Sequence, residues 1–365
     1  MVYVLLLAPD SRILHFKCFQ MKNFFNITIP ELEQLLADLD PRPFRTDQLL
    51  RWVYKLGAEN FSRMTDMPLE LRETLSGRLE LNPMRVLAAD TAEDGTVKFL
   101  LILDDGAMIE SVLMSEEGHY TLCVSTQAGC AMSCAFCETG KAGPGRNLSM
   151  GEILAQIVYT VRHLGDRLKL RNLVFMGMGE PLQNLDALLP ALGIILNDRA
   201  LDFSSRRVTV STCGWVPGIE RLGSEGLDVN LAVSLNATED KTRSKIMPVN
   251  RKYPLIKLME ALRRYPVKAR RRITFEYVLM DHINDSPEDA SRLARLMADI
   301  PSKVNLIACN QNSSVLRAPT EERSRAFQEE LLKRGVLATM RRSRGEEIMA
   351  ACGQLRASAD GRNDD

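Results

Sequence analysis

Cys130-Ala-Met-Ser-Cys134-Ala-Phe-Cys137 decides how the rest of the chain is read. The stretch follows an alternating run, Tyr120 to Gln127, and is left through Gly140, Gly143 and Gly145, so it reads as a loop at the end of a strand. Thiols spaced this way can converge on one inorganic centre. A structural zinc site closes a tetrahedron, and an ordinary iron–sulfur cluster takes four thiolates. Three thiols leave one iron of a cluster free to bind a small molecule. Zinc with a distant fourth ligand is the alternative that the spacing leaves open.

Composition narrows the setting. At 365 residues the chain can hold one large α/β domain and a smaller one. Its eight cysteines are unevenly spaced, which points to metal or redox chemistry rather than a disulfide framework. The apolar opening Val2 to Ala8 is too short to span a bilayer and has no basic residues ahead of it. No membrane association is expected, and the chain reads as cytoplasmic. Met21 precedes the first convincing helix signal and marks an alternative start, making residues 1–20 a non-native extension and Cys18 irrelevant to function. Net charge is zero, so no global electrostatic case for nucleic acid exists. Basic residues crowd two segments, Arg263, Arg264, Lys268 and Arg270 to Arg272, and then Arg341, Arg342 and Arg344. Such runs can meet phosphate, or simply face solvent.

Thr28-Ile-Pro-Glu31 is a capping box, and Leu32, Leu35, Leu36 and Leu39 follow at helical spacing. With Arg45 to Leu56 and Pro68 to Leu79 it forms a helical accessory unit over 21–82. Strands 85–91, 96–103 and 107–113, broken by Glu-Asp-Gly and Asp-Asp-Gly turns, form a connecting hairpin region over 83–119. From residue 120 the pattern is strand, loop, helix, repeated. Strands are expected at 120–126, 171–176, 206–212, 227–235, 272–280 and 303–308. Helices are expected at 150–164, 185–197, 215–223, 253–265, 286–299 and 320–334. The fold class is therefore α/β, with a partial (β/α)6 barrel over 120–355 and a polar tail over 356–365.

Chemistry in such sheets gathers at the carboxyl ends of the strands. The cluster loop ends the first strand, and Met176-Gly-Met-Gly179-Glu180 ends the second, where glycines admit a ligand and a carboxylate can accept from an ammonium. Ser211 ends the third strand, Ser234 and Asn236 the fourth, and Asn310 the sixth. Glycine-rich turns and small polar strand ends are also ordinary turn formers. Taken alone, Cys123 and Cys352 read as buried thiols and Glu110 as an exposed strand acid.

The signature Cys130-x3-Cys134-x-Phe136-Cys137 resembles that of the radical S-adenosylmethionine (SAM) enzymes. Cys123-Val-Ser-x-Gln-x-Gly-Cys130, Arg146-Asn-Leu148, Met176 to Leu182, Arg207 to Thr212, Asp281-His-x-Asn-Asp285 and Arg344-Gly through Cys352-Gly-Gln-Leu355 together resemble the RlmN/Cfr family of radical SAM RNA methyltransferases. The resemblance runs from Thr28 to Leu355. It implies a radical SAM partial barrel with an RNA-contacting N-terminal domain, and a 4Fe–4S cluster on Cys130, Cys134 and Cys137. SAM would lie against Gly179, Glu180, Ser211, Ser234, Leu235, Asn236 and Asn310.

By the same resemblance, Cys352 carries a methyl group as S-methylcysteine. A second SAM gives a 5′-deoxyadenosyl radical that takes hydrogen from it, Glu110 acts as base, and Cys123 releases the product with formation of a disulfide. The implied substrates are an adenosine of 23S rRNA, methylated at carbon 2, and one beside the tRNA anticodon. An electron donor such as flavodoxin or ferredoxin and a monomeric state are expected. Carbon 8 methylation and a non-enzymatic iron–sulfur RNA-binding protein are the alternatives. Two departures lie at the rim: Ser234-Leu-Asn236 where the family has Ser-Leu-His, and Ala308-Cys-Asn310-Gln-Asn-Ser313 where it has a proline-rich turn.

Overall fold

The computed structural model describes residues 21–310, 316–341 and 343–357. The expectations for residues 1–20, Cys18, residues 311–313, Arg342 and most of the polar tail lie outside the described residues. Two short strands, β1 (Lys22–Asn23) and β2 (Leu79–Glu80), pair in parallel at the two ends of the N-terminal unit. All other strands among the described residues form one ten-stranded sheet. In chain order these are β3 (Met84–Thr91), β4 (Val97–Leu103), β5 (Met108–Glu116), β6 (His119–Cys123), β7 (Leu170–Phe175), β8 (Val208–Thr212), β9 (Asn230–Ser234), β10 (Ile273–Leu279), β11 (Ser302–Ala308) and β12 (Ala338–Arg341). Spatial order follows chain order, with β3 and β12 at the edges, so the barrel stays open.

Strands β3 to β6 pair antiparallel through tight turns. From β6 onward every pairing is parallel, with helical crossovers. Parallel strands covered by helices bury both faces and read as apolar runs. Val208 and Val210, Leu231 to Val233, and Phe275, Tyr277 and Leu279 are accordingly buried. The six expected parallel strands correspond to β6 to β11. A seventh, β12, extends the expected (β/α)6 pattern at the edge, where four residues suffice because only β11 must be matched.

The helices start where their caps dictate. Ser149 Oγ accepts the Glu152 N–H (3.2 Å) and the Glu152 carboxylate accepts the Ser149 N–H (2.8 Å), opening the helix Met150–Leu164, which stops at Gly165 in the left-handed region. The N-terminal helices Ile29–Ala37, Phe44–Leu50 and Leu69–Ser76 enclose Phe24, Phe25 and Tyr54. This unit docks on the helix Met150–Leu164. Asn26 Oδ1 accepts from Gly151 N–H at 2.6 Å, and Arg162 donates to the carbonyls of Gly57, Ala58 and Leu81 at 3.0–3.1 Å. Those are the free donors and the last turn of one helix, so both ends of the interface are fixed.

The basic run Arg263 to Arg272 leads into β10, at the end of the sheet opposite the cluster loop. Arg264 pairs with Glu220 (2.9 Å), and Lys268 and Arg271 with Asp228 (3.4 and 2.8 Å). Two carboxylates thus meet three of its six cations.

Candidate active site

The cluster loop is built by close backbone approach. Cys130 N–H donates to Gly143 O (2.9 Å) and Ala128 N–H to Arg146 O (2.9 Å), which folds the exit of the loop back onto its entry. A Cβ on Gly145 would stand 1.6 Å from Ala128 O, so only glycine fits there. Cys130, Cys134 and Cys137 thereby line one cavity of about 980 Å³. Burial pushes the Cys130 thiol up to about 12 and raises Cys134 further, each also pushed up by the neighbouring thiols. Thiols in such a setting become thiolates only against strong positive charge, as iron supplies.

The same cavity gathers Gly179, Glu180, Ser211, Ser234, Asn236 and Asn310, and Cys352 closes it from the C-terminal side. Gly179 has φ +101°, and a Cβ there would meet Gln127 Cβ at 2.5 Å. Glu180 is buried, its carboxylate accepting the N–H groups of Leu182 (3.1 Å) and Cys213 (2.8 Å), while burial raises its pKa. Asn236 takes a left-handed conformation that asparagine tolerates. Its Oδ1 accepts Val278 N–H at 2.8 Å. The expected Leu235 is different: its side chain is buried outside the cavity lining, and its carbonyl accepts from Arg243 Nε (2.9 Å).

Two features fit a cluster and a polar small molecule. Arg243, fully buried on the helix Asp240–Ile246, donates to the carbonyls of Leu235, Cys213 and Ser234 and to Asn250 Oδ1. Among the described residues it makes no ion pair with a carboxylate, and the groups nearest in effect on it are the Cys213 and Cys134 thiols, ahead of Asp240. A buried cation below the thiols suits an anionic cluster. Finally, Glu276 on β10 lines the cavity with Oε2 buried and unpartnered among the described residues, ready to accept from a ligand.

A second cavity of about 690 Å³ adjoins the first and is lined by Cys123 from β6, Cys352, Val112, Met114, Thr139 and Arg341. Cys123 and Cys352, 229 positions apart (352 − 123), thus face a common space, with Cys123 buried and Cys352 exposed. Among the described residues every cysteine is a free thiol, so the disulfide implied by the resemblance is not a feature of this structure. Glu110 is buried on β5, not exposed as its position suggested, and lies outside both cavity linings. Its Oε2 accepts Arg356 N–H (2.8 Å) and its Oε1 lies 3.4 Å from Lys98 Nζ. Burial raises its pKa against the opposing pull of Lys98.

Sequence reasoning did not single out Arg243 or Glu276, and took Arg341 only as part of a basic run. The signal for Glu276 was available, an acid inside the apolar run Ile273 to Leu279. Arg243 sits in Asp240-Lys-Thr-Arg-Ser-Lys245, which reads as a solvated face and carries no such signal.

Residues 22–81 match the ribosomal RNA large subunit methyltransferase N-terminal domain, and residues 124–294 the radical SAM superfamily. The chain is 47% identical over 336 residues to the dual-specificity RNA methyltransferase RlmN of Pelobacter propionicus, covering 92% of this chain and 96% of that one. It is 49% identical over 331 residues to the protein of that name from Syntrophobacter fumaroxidans, covering 90% and 96%. A crystal structure of a radical SAM methyltransferase from Sphaerobacter thermophilus superposes with a TM-score of 0.87 at 43% identity, covering 93% of this chain and all of that one. The cofactors are those of the superfamily, a 4Fe–4S cluster and SAM. No described helix is long and apolar enough to cross a membrane. The chain belongs to the RlmN family of radical SAM RNA methyltransferases.

Proposed function

We propose that the protein methylates carbon 2 of an adenosine in 23S rRNA, and of the adenosine beside the tRNA anticodon, by way of a methyl group carried on Cys352. The observation that supports this most is the shared cavity of Cys123 and Cys352 beside the three-thiol cavity. The relatives' dual-specificity name supports the two RNA substrates. The reaction is taken to run in the cytoplasm, on a monomer served by an electron donor such as flavodoxin or ferredoxin.

Carbon 2 of adenine is electron-poor and carries no acidic hydrogen, so transfer of an electrophilic methyl group fails there. When bound, the cluster and SAM supply a transferable methyl group and hydrogen-atom abstraction. Cys130, Cys134 and Cys137 hold the cluster. Glu180, Ser211, Ser234, Asn236 and Asn310 orient SAM, with Gly179 admitting it and the Leu235 backbone shaping the rim. Cys352 accepts the methyl group on sulfur and presents it to the ring. Glu110 takes the ring proton as general base, which requires the Arg356 N–H to leave its carboxylate as RNA enters. Cys123 then attacks the Cys352 sulfur and frees the product, an ordinary exchange step. Mass spectrometry of RNA from a deletion strain tests the reading. Loss of 2-methyladenosine from both RNAs is the expected result, whereas loss of 8-methyladenosine would identify a carbon 8 enzyme.

A further inference from the structure

Arg341 ends β12 and lines the wall common to both cavities. Among the described residues it makes no ion pair, and the one hydrogen-bond contact of its side chain is Nη1 to the Met176 sulfur at 3.9 Å. A guanidinium has five N–H donors, so this one is nearly unused. The groups whose ionised forms would oppose its charge are the Cys352 thiol first, then Glu276 of β10, the Cys123 thiol of β6 and Glu116 of β5. Holding a cation this way is costly unless an anion comes to meet it.

Cys123 has the complementary difficulty. Burial pushes its thiol up to about 12, and Cys352 pushes the same way, while Arg341 and the Met176 N–H pull it down. A protonated thiol is not the nucleophile that exchange requires. Arg341 is the one cation among the groups that act on this sulfur.

We propose that Arg341 is a positioning residue for the release of methylated RNA, its guanidinium pairing with the Cys123 thiolate as that sulfur attacks Cys352. The inference rests on the methyl-carrier reading above. Before release, the Cys352 sulfur is joined through a methylene carbon to the adenine ring. Cys123 gives its proton to water and attacks the Cys352 sulfur; the S–S bond forms and the S–CH2 bond breaks. The electron pair of the broken bond stays on the methylene carbon, which takes one proton from water and leaves as the methyl group. Together the two sulfurs lose two electrons and the carbon gains two, so this step needs no outside oxidant. Arg341 stays protonated throughout and supplies charge alone. Glu276 and Glu116 share its field, which leaves the pairing adjustable as the sulfurs change partners.

The test uses cluster-loaded full-length enzyme with SAM, a reductant and an RNA hairpin containing the target adenosine. The readout is the lifetime of the covalent protein–RNA adduct at several pH values, with iron content and S-methylation of Cys352 measured alongside. Cys123→Ala should accumulate a lasting adduct at every pH. Arg341→Gln should form the adduct but release it roughly 10- to 100-fold more slowly at neutral pH. Its release should quicken about tenfold per pH unit as thiolate is restored. Arg341→Lys, which keeps the charge, should recover most of the rate. If Arg341→Gln does not load the cluster, Arg341→Met reads the same rate with similar side-chain length. Release by the uncharged variant at the wild-type rate and pH profile would overturn the role of Arg341 alone. No adduct in Cys123→Ala would overturn the methyl-carrier reading itself.

Discussion

Asn310 donates its amide Nδ2 to the backbone carbonyl of Cys352 at 3.0 Å, so one side chain joins the rim of the cluster cavity to the segment that carries the exposed thiol. Its Oδ1 accepts from Ser343 Oγ at 2.8 Å. The segment is also tied to the cluster loop. Glu138 N–H donates to Gly353 O (2.7 Å) and Thr139 Oγ1 to Leu355 O (2.6 Å). Asn310→Ala removes one tie of several, worth about 0.5–1.5 kcal/mol. Methylation of Cys352 should slow several-fold while iron content stays constant. Both quantities can be followed by mass spectrometry and iron analysis, and an unaltered rate would assign the positioning to the other ties.

Glu110 gives a prediction with opposite signs for stability and activity. Its pKa is raised, chiefly by burial, so the fold favours the protonated form. A group with a raised folded pKa contributes stability below its unfolded pKa, and that contribution is lost as pH rises through the folded value. Glu110→Gln, which can still accept the Arg356 N–H, should therefore unfold at a Tm equal to or above wild type at pH 7–8. The difference should shrink as pH falls into the carboxylate range. RNA methylation should be lost at every pH. A lower Tm at pH 8 than at pH 5, relative to wild type, would contradict the sign.

Glu180 accepts from two backbone N–H groups inside the fold, which positions it without using it up. Glu180→Gln keeps an acceptor but removes the charge facing a ligand ammonium. A charge-assisted hydrogen bond is worth roughly 1.5–3 kcal/mol. SAM affinity, measured by equilibrium dialysis of the cluster-loaded protein, should fall roughly 10- to 150-fold. An unaltered affinity would make Met176 to Glu180 a turn and nothing more.

Changing Cys130, Cys134 or Cys137 to Ala should abolish SAM cleavage and the cluster's optical absorption, because each thiol is one of three that line the cavity. Formation of 5′-deoxyadenosine by a zinc-only preparation would refute the cluster.

The repeated strand and helix pattern was legible because buried parallel strands are apolar throughout and the helices carry their own caps, as at Ser149 and Ser286. Strand β12 was not, since an edge strand of four residues shows too little periodicity. In the site, spacing exposed the cluster cysteines, and the glycines exposed the close approach at Gly179. The Leu235 side chain turns away from the cavity because neighbouring residues in and after a strand point to opposite faces, and Asn236 takes the cavity side. Arg341 was read as part of a basic run, with Arg342 and Arg344, that could meet phosphate or face solvent. Charge runs usually face solvent, and only tertiary closure against Met176 and Cys352 turns this one inward.

The most direct test of the account is the mass of the Cys352 peptide in protein purified from cells grown with active SAM metabolism. The account expects a fraction of Cys352 to be heavier by one methylene, and Cys123→Ala protein to carry, in addition, Cys352 joined covalently to RNA. Unmodified Cys352 in both proteins, with a wild-type preparation that still methylates adenosine, would contradict it.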